Sequence, residues 1–380
     1  MIISQRLVVL ESDAIHHTLQ EWKDHHPQMG VVALLPEAEA GRLPVLQQAC
    51  REQQVALCGA LFPALVTDTG FVQTGAWLIC MDPMPPWFLL PELEASGNQK
   101  LLDATRTALA QAPAGGTPTL FMVFDGMVPN ISTLLEGLHD SLDMPVEYSG
   151  VSAGSETFAP MPCLFDQHSV IGFGALGLVL PAPTRAVTRH GYPVSQRLMR
   201  ATSSVDNRID AIDNQPAFEV YQQVIAHEYG VTRTGENFYD YAVHFPFGVI
   251  TAVDVLVRIP VAFTDGGALV CVGEVSPNSM LRLLRAPTLG ESTCVQSLTT
   301  ALDTARAGSG STELLTFYCA GRRMHFGEEA ARELAQLRTS TGATTLYGAL
   351  SLGEIDCMED LNIPRFHNAA LVCIPGNNRP

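Results

Sequence analysis

The feature that most constrains the fold is a unit that occurs three times along the chain. Each copy begins with an apolar run of strand length, "GVVALLP" from Gly30, "TLFMVFDG" from Thr119 or "ELLTFYCAG" from Glu313. A stretch with helical spacing of apolar residues follows, then a short strand that contains a glycine, and finally another apolar run. Self-similarity of this kind indicates a chain built from repeated supersecondary units.

This order of elements predicts the fold class. Strands that alternate with helices favour α/β layers, and neighbouring strands joined without a helix favour antiparallel pairs in the same sheets. We therefore expect a mixed α/β (α+β) fold, in which repeated strand-helix-strand-strand units form mixed sheets covered by helices. A length of 380 residues favours two domains or one large composite. We place these domains at 1–225 and 226–380, and we interpret 82–100 as a linker-like segment.

The glycine-bearing strands are candidate walls of a binding cleft. Gly150 in "YSGVSAGSE" and Gly348 in "LYGALSLGE" stand at corresponding places, and glycine there permits positive φ or a close backbone approach. The third copy also keeps a Gly353-Glu354 pair that the first copy lacks. We predict that Gly150, Gly348 and Glu354 bind a ligand. For Glu354 two roles stay open, as an acceptor for a bound amine or as an anchor for the loop backbone.

Charge and hydropathy limit the kinds of partner that the protein can bind. Acidic residues outnumber basic ones 39 to 22, with a formal net charge of -17. Nucleic acid requires a clustered positive footprint, and an anionic membrane surface repels an acidic protein. The longest apolar stretch, 170–183, is shorter than the roughly 18 residues of a membrane span, and the N-terminus does not resemble a secretory signal. We expect a soluble cytoplasmic protein that binds neither nucleic acid nor membrane, and a homo-oligomer stays open.

Several stretches resemble the FIST family, whose members pair an N-terminal with a C-terminal FIST domain. The most specific is 189–225, which has a His-Gly pair, a proline two residues on, and an "IDNQPAFEVY" run like the family's Asp-Gly-x-Pro-Ala pattern. The stretches "YSGVSAGS", "FYCAGRRMHFGEEAARE" and "LYGALSLGEID" add to the resemblance, which extends from about Gly30 to Cys373. Two departures stand out: "LCGALFPALV" replaces the family's Gly-Cys-Ser-Thr-x-Gly-Glu loop, and Asn214 replaces a glycine.

The resemblance implies a sensor that binds a small ligand in bacterial signal transduction, rather than an enzyme. It implies two kinds of ligand. One is a small molecule such as an amino acid, bound without haem. The other is nitric oxide, sensed by a subset of haem-binding members that regulate a partner histidine kinase.

His190 is the candidate haem ligand. It follows a predicted strand and precedes a glycine, so its neutral imidazole is placed to project into a cleft and bind haem iron. The haem would be of b type, bound without a covalent link, because the chain contains no C-x-x-C-H motif. The alternative is a histidine whose ring bonds a backbone carbonyl and holds the turn.

The segment "FYCAGRRMHFG" gathers Cys319, Arg322 and His325 at the end of a predicted strand. Open α/β sheets bind ligands at such strand ends. We predict that Cys319 and Arg322 contact the ligand, with Arg322 as a clamp for the carboxylate of an amino-acid-like molecule. The enzymatic alternative is a cysteine-dependent hydrolase with Cys319 as nucleophile and His325 as its base, although the local sequence offers no third, orienting group.

Overall fold

The computed structural model of the protein describes residues 2–93, 98–113, 115–232, 238–252, 254–305, 313–357 and 362–376. Its main feature is the threefold repetition of one unit, in the order strand, helix, strand, helix, strand, hairpin, strand. The repeat is therefore longer than the sequence indicates, because each unit also has a leading strand and a leading helix.

The first unit comprises β1 (Ile2–Val8), α1 (Ser12–His25), β2 (Gly30–Pro36), a 3-10 helix (Glu37–Arg42), α2 (Leu43–Glu52), β3 (Ala56–Phe62), β4 (Leu65–Thr67), β5 (Gly70–Val72) and β6 (Ala76–Met81). The second comprises β7 (Trp87–Leu90), α3 (Asn98–Gln111), β8 (Thr119–Asp125), α4 (Ile131–Ser141), β9 (Glu147–Ala153), β10 (Leu164–Asp166), β11 (Val170–Ile171) and β12 (Ala175–Leu180).

An inserted module lies between the first strand and the first helix of the third unit. It comprises β14 (Met199–Val205), β15 (Arg208–Ile212), β16 (Gln215–Pro216), α5 (Ala217–Tyr229), α6 (Phe238–Ala242), β17 (Phe247–Ile250), β18 (Val255–Arg258), β19 (Pro260–Phe263), β20 (Leu269–Cys271) and β21 (Met280–Leu283). The third unit itself comprises β13 (Val187–Arg189), α7 (Cys294–Ala305), β22 (Glu313–Cys319), α8 (Ala320–Phe326), α9 (Glu329–Thr341), β23 (Thr345–Ser351), β24 (Gly353–Cys357), β25 (Pro364–His367) and β26 (Leu371–Pro375).

Each unit forms the body of a six-stranded mixed sheet. Its two central strands are parallel, β2 with β3, β8 with β9 and β22 with β23, because a helix connects them. The closing strand of the unit, β6, β12 or β26, pairs antiparallel with the first of them. The leading strand, β1, β7 or β13, pairs with that closing strand at the sheet edge.

At one edge of each six-stranded sheet, the last two strands come from another unit. The hairpin β4–β5 of the first unit pairs with β23 of the third, β10–β11 of the second pairs with β3 of the first, and β24–β25 of the third pairs with β9 of the second. This hairpin exchange is cyclic, so the three sheets surround a common centre. Rings from different sheets meet there, with Phe317 at 6.0 Å from Phe62 and 6.2 Å from Phe121, centroid to centroid.

The helices cover the outer faces of the sheets. The apolar faces of α3 and α4 pack on β8 and β12, and those of α7 and α9 pack on β22 and β26. The inserted module has its own core between α5, α6 and its strands. These layers confirm the predicted class of mixed sheets covered by helices.

Two details differ from the expectations. The segment 82–100 is not only a linker, because it contains β7, an edge strand that pairs with β12; residues 94–97 lie outside the described residues. Residue 225, at the predicted boundary, lies inside α5, in the core of the inserted module. No helix in the described part of the chain is long and apolar enough to cross a membrane.

Candidate functional site

The carboxyl ends of β22 and β23 bring together residues that the sequence indicated separately. Cys319 ends β22, Ser351 ends β23, and Glu354 follows in β24. Parallel neighbours end at the same edge of a sheet, so the three side chains meet there. All three are buried, with exposed fractions of 2%, 0% and 0%.

Glu354 is a buried carboxyl without an arginine or lysine partner among its hydrogen bonds. The hydroxyl of Ser351 donates to its Oε1 (2.6 Å), the backbone N–H of Ala370 approaches its Oε2 (3.4 Å), and the thiol of Cys319 also bonds it. Loss of hydration disfavours the charged form and raises the pKa of Glu354 to about 8. The site therefore contains a protonated carboxyl at neutral pH.

Replacement of Glu354 by glutamine should remove a pH dependence of stability. An unfolded glutamate ionises near pH 4.5, whereas folded Glu354 keeps its proton to about pH 8. Between these values the unfolded state binds fewer protons, so the free energy of unfolding of the parent protein falls by up to about 1.4 kcal/mol per pH unit as the pH rises. Protonated Glu354 therefore contributes fully to the free energy of unfolding below pH 4.5, and this contribution is lost above pH 8.

Urea unfolding at pH 5, 6.5 and 8 measures this effect. We expect the stability of Glu354→Gln relative to the parent to increase with pH over that range. Glu219→Gln, an exposed change on α5, is the matched control and should follow the parent at every pH. A Glu354→Gln curve that runs parallel to that of the parent would contradict the buried, protonated state.

Three other buried polar atoms near Glu354 have no hydrogen-bond partner among the described residues. They are Nδ1 of His367, Oδ1 of Asn368 and Oη of Tyr192, on side chains that are 3%, 1% and 4% exposed. His367 lies directly across from Glu354 in the β24–β25 ladder. Its Nε2 is 2.8 Å from Oδ1 of Asp356, and a neutral ring that donates the Nε2 proton to this carboxylate leaves Nδ1 as an unused acceptor.

We name this group the Glu354 cluster, defined as Tyr192, Cys319, Ser351, Glu354, His367 and Asn368. Nearly all buried polar groups in proteins are hydrogen-bonded, so these three unpartnered atoms are candidate contacts for a ligand that supplies partners. The sequence reasoning missed Tyr192, His367 and Asn368. The alternation of side chains along a strand predicts that Glu354 and Asp356 share one face, which was the available signal for this site. It does not predict which strand pairs with theirs, so His367 could not be identified.

A charged network fixes the far side of the cluster. Arg365 contacts both oxygens of Asp356 (2.9 and 2.8 Å) and also Asp254 of the inserted module (3.0 Å). Burial opposes the charge on Asp356, but His367 and Arg365 together lower its pKa. The ring of His367 is thereby held in one orientation.

Aromatic and charged side chains cover the cluster from the inserted module and the second unit. The hydroxyl of Tyr239 lies near Gly321, 3.8 Å from the position of a Cβ there, and Cys319 Sγ lies 3.9 Å from the same position. The ring of Tyr239 packs edge-on against Phe158, with 5.6 Å between centroids. Beside them Arg323 pairs with Glu156 at 2.6 Å. These contacts place the inserted module over the strand ends.

Arg322 has no donor left for a ligand. Its Nε and Nη2 bond both oxygens of Glu333 (2.8 and 2.6 Å), and Nη2 also reaches the hydroxyl of Ser292 (3.2 Å). Its Nη1 donates to the carbonyls of His190 (2.7 Å) and Ala369 (3.2 Å). The carboxylate that Arg322 clamps is therefore that of Glu333 on α9, which corrects the expectation of a ligand clamp.

His190 does not fit the role of a haem ligand. Its Nδ1 accepts the backbone N–H of Tyr192 at 3.0 Å, which leaves Nε2 to donate to the carbonyl of Val255. Burial, followed by the nearby His367, lowers the pKa of His190 to about 4. A neutral ring with both nitrogens engaged offers no lone pair to iron.

Cys319 and His325 do not form a nucleophile and base. The sulfur of Cys319 accepts the N–H of Ala369 at 3.1 Å, and burial raises the pKa of the thiol. His325 points elsewhere, with Nδ1 at 2.6 Å from Nδ1 of His244 and Nε2 at 2.7 Å from the carbonyl of Pro287. A buried neutral thiol without a base is a poor nucleophile, which argues against the hydrolase.

We expect iodoacetamide to leave Cys319 unmodified in the native protein. Cys357 is half-buried, whereas the other eight cysteines are buried free thiols, so Cys357 should react first and the rest only after unfolding. Timed alkylation followed by mass spectrometry of peptides measures this order. Faster labelling of Cys319 than of Cys357 would restore the nucleophile hypothesis.

Gly150 and Gly348 lie inside strands, where the absence of a side chain lets the neighbouring strand come close. A Cβ on either would stand 1.9 Å from the carbonyl oxygen of its parallel neighbour, Met122 or Thr316, and both have positive φ, +153° and +152°. Gly59 is the counterpart in the first unit, with a Cβ position 2.1 Å from a carbonyl oxygen. These glycines are required for the central strand pairs, and both predicted ligand-binding glycines are buried.

Glu274 of the inserted module binds the N-terminus of α4. Its carboxylate accepts the backbone N–H groups of Ser132 (2.6 Å) and Thr133 (3.1 Å) and the hydroxyl of Thr133. The positive end of a helix stabilises an anion in this position. This contact ties the inserted module to the second unit, next to the loop that follows β8.

Two family models match the chain. The model of the FIST N domain matches residues 30–215, and that of the FIST C domain matches residues 217–356. The two matches meet between β16 and α5, inside the inserted module. None of the curated proteins searched matches the chain. FIST domains bind small ligands as sensory domains in signal transduction, and the chain belongs to the FIST family, with one domain of each kind.

Proposed function

We propose that this protein is a haem-free sensor whose ligand binds at the Glu354 cluster and presents N–H donors, as the amine of an amino-acid-like molecule does. The observation that carries the proposal is the set of unpartnered acceptors, Nδ1 of His367 and Oδ1 of Asn368, beside the buried carboxyl of Glu354. The arginines at the site, Arg322 and Arg365, are already paired with carboxylates of the protein. Recognition therefore rests on the ligand's amine rather than on its carboxylate.

The physical reason for binding is the cost of leaving buried polar groups unpaired. Each unsatisfied buried donor or acceptor costs about 1–3 kcal/mol, which a ligand with matching donors recovers. An ammonium group placed beside Glu354 also favours the charged carboxylate, so its pKa falls on binding. Binding near neutral pH is thus expected to release a proton.

Paired ligands provide the test. Each amino acid is compared with the acid of the same skeleton that lacks the amine, for example alanine with propionate, by thermal shift and calorimetry. A ligand of the proposed kind stabilises the protein by about 2.7 kcal/mol at one hundred times its Kd. Calorimetry in buffers of different ionisation enthalpy should reveal proton release, and Glu354→Gln should bind without it.

Matched variants locate the site. His367→Ala removes one unpartnered acceptor and should abolish the shift, while His17→Ala, an exposed change on α1 whose side chain is 80% exposed, should leave it intact. Equal shifts from amines and from their amine-free analogues, or a shift that survives in His367→Ala, would disprove binding at this cluster.

Haem is left out of the proposal because His190 is engaged on both sides. We expect reconstitution with haem to give no Soret band that depends on this residue. A band present in the parent and absent in His190→Ala would reinstate the haem-based, nitric-oxide-sensing alternative.

We further propose that occupancy of the cluster is passed on through the inserted module, with a partner histidine kinase as the receiver that the family resemblance implies. The support is positional, because Tyr239 covers the cluster and Asp254 bonds Arg365 beside it. Hydrogen exchange in the inserted module, measured with and without the ligand, tests this route. Exchange that is unaffected by a bound ligand would contradict it.

A further inference from the structure

A second cavity lies at the opposite end of the central strands from the Glu354 cluster. It opens where β2, β8 and β22 begin and where β6, β12 and β26 end, and its volume is about 80 Å³. Leu315 lines this cavity and Cys319 belongs to the cluster, and both lie on β22. They are four positions apart along the strand, or about 13 Å, so the two sites are distinct.

Each of the three units contributes one cross-strand pair to the wall of this cavity. The pairs are Val32 with Ile79, Phe121 with Leu178, and Leu315 with Ile374. They occupy equivalent positions, because in each unit the next residue of the first strand pairs with the glycine of the second. The cavity thus lies at the centre of the cyclic arrangement, where the three inner faces meet.

The chemistry of the wall is apolar. Thr184 is the polar residue among those described in the lining, and its groups are engaged elsewhere. Its N–H donates to Thr119 and Glu147, and its hydroxyl lies 3.3 Å from that of Ser149. An ordered water needs two to four polar partners, so water is a poor occupant of this space. Apolar cavities stay dry and can take an apolar molecule instead.

We propose that this central cavity is a second ligand site, which takes a compact uncharged apolar molecule. The size follows from comparison with an engineered apolar cavity of about 150 Å³ that binds benzene or xenon. A cavity about half as large suits a hydrocarbon of a few carbon atoms or a xenon atom. Within the described part of the chain, half-buried residues at its mouth, among them Ile2 and Pro181, leave a path from solvent. This site differs from the proposed sensor site in position and in ligand chemistry.

Xenon is the probe for the test, applied under pressure to the full chain with labelled Ile, Leu and Val methyl groups. We expect the methyl resonances of Val32, Leu178, Leu315 and Ile374 to shift in a saturable manner, while those of the inserted module stay unchanged. Absence of saturable shifts at these methyl groups would overturn the proposal, whatever happens at the Glu354 cluster.

Variants that fill the cavity provide a second test. Val32→Phe places in the first unit the side chain that the second unit already has as Phe121, so it should occupy the void and abolish the xenon-induced shifts. Val205→Phe, at a position that is 54% exposed, is the matched control and should leave them intact. Leu315→Phe applies the same reasoning in the third unit should Val32→Phe fail to fold. Undiminished xenon binding in a folded variant of either kind would refute the assignment.

Discussion

Replacement of Glu333 by glutamine is expected to destabilise the fold by about 3 kcal/mol or more, because it leaves the guanidinium of Arg322 buried without its counter-charge. Both side chains are fully buried, and their closest contact is 2.6 Å. Arg322 also bonds the carbonyls of His190 and Ala369, so the pair joins α8, α9 and the two loops that flank the Glu354 cluster. Urea unfolding at pH 7 measures the effect.

The control is the same substitution four residues earlier on the same helix. Glu329 pairs with Arg332 at 3.0 Å, but these side chains are 47% and 70% exposed. Exposed pairs contribute little, so Glu329→Gln should change the free energy of unfolding by less than about 0.5 kcal/mol. Similar losses for the two variants would mean that burial of the Arg322 pair does not determine its importance.

Replacement of Gly348 by alanine is expected to cost at least about 3 kcal/mol, or to prevent folding. The added Cβ would lie 1.9 Å from the carbonyl oxygen of Thr316, which is backbone and cannot rotate away. The φ of +152° adds strain for any residue with a side chain. The parallel pair β22–β23 must separate to accept the methyl group, and the strand ends that carry Cys319 and Ser351 would separate with it.

Gly290→Ala serves as the comparison, because a Cβ there meets nothing within 4 Å. It should leave the urea midpoint nearly unchanged. Gly150→Ala should behave like Gly348→Ala, since its Cβ also falls 1.9 Å from a carbonyl oxygen. A soluble Gly348→Ala protein with the midpoint of the parent would show that the strand pair tolerates the separation.

Much of the fold could be predicted because its signals are local. The alternation of apolar runs with helical spacing identified the three units whose strands form the parallel pairs, and the glycines at 59, 150 and 348 marked equivalent places in them. The hairpin exchange could not be predicted, because short hairpins such as β4–β5 carry no information about which distant strand they will join. The inserted module was missed for a related reason, since its short strands resemble those of the units.

The candidate site was likewise predicted only in part. Sequence reasoning placed Cys319 and Glu354 at strand ends, and they are hydrogen-bonded neighbours in the structure. Sequence reasoning could identify Arg322 and His190 as groups with donors or acceptors. Their partners become neighbours only through folding: Glu333 lies on another helix and Val255 lies in the inserted module.

The cyclic hairpin exchange has a consequence for how the protein is made. During synthesis β3 cannot pair with β10 until the second unit has been made. Strand β9 cannot pair with β24 until about residue 357 has been added, and the hairpin β4–β5 cannot pair with β23 until Ser351 has been added. Pairings this distant in sequence slow folding and leave strand edges exposed meanwhile. We therefore expect nascent chains to stay unfinished until the strands of the third unit have left the ribosome, and to depend on chaperones until then.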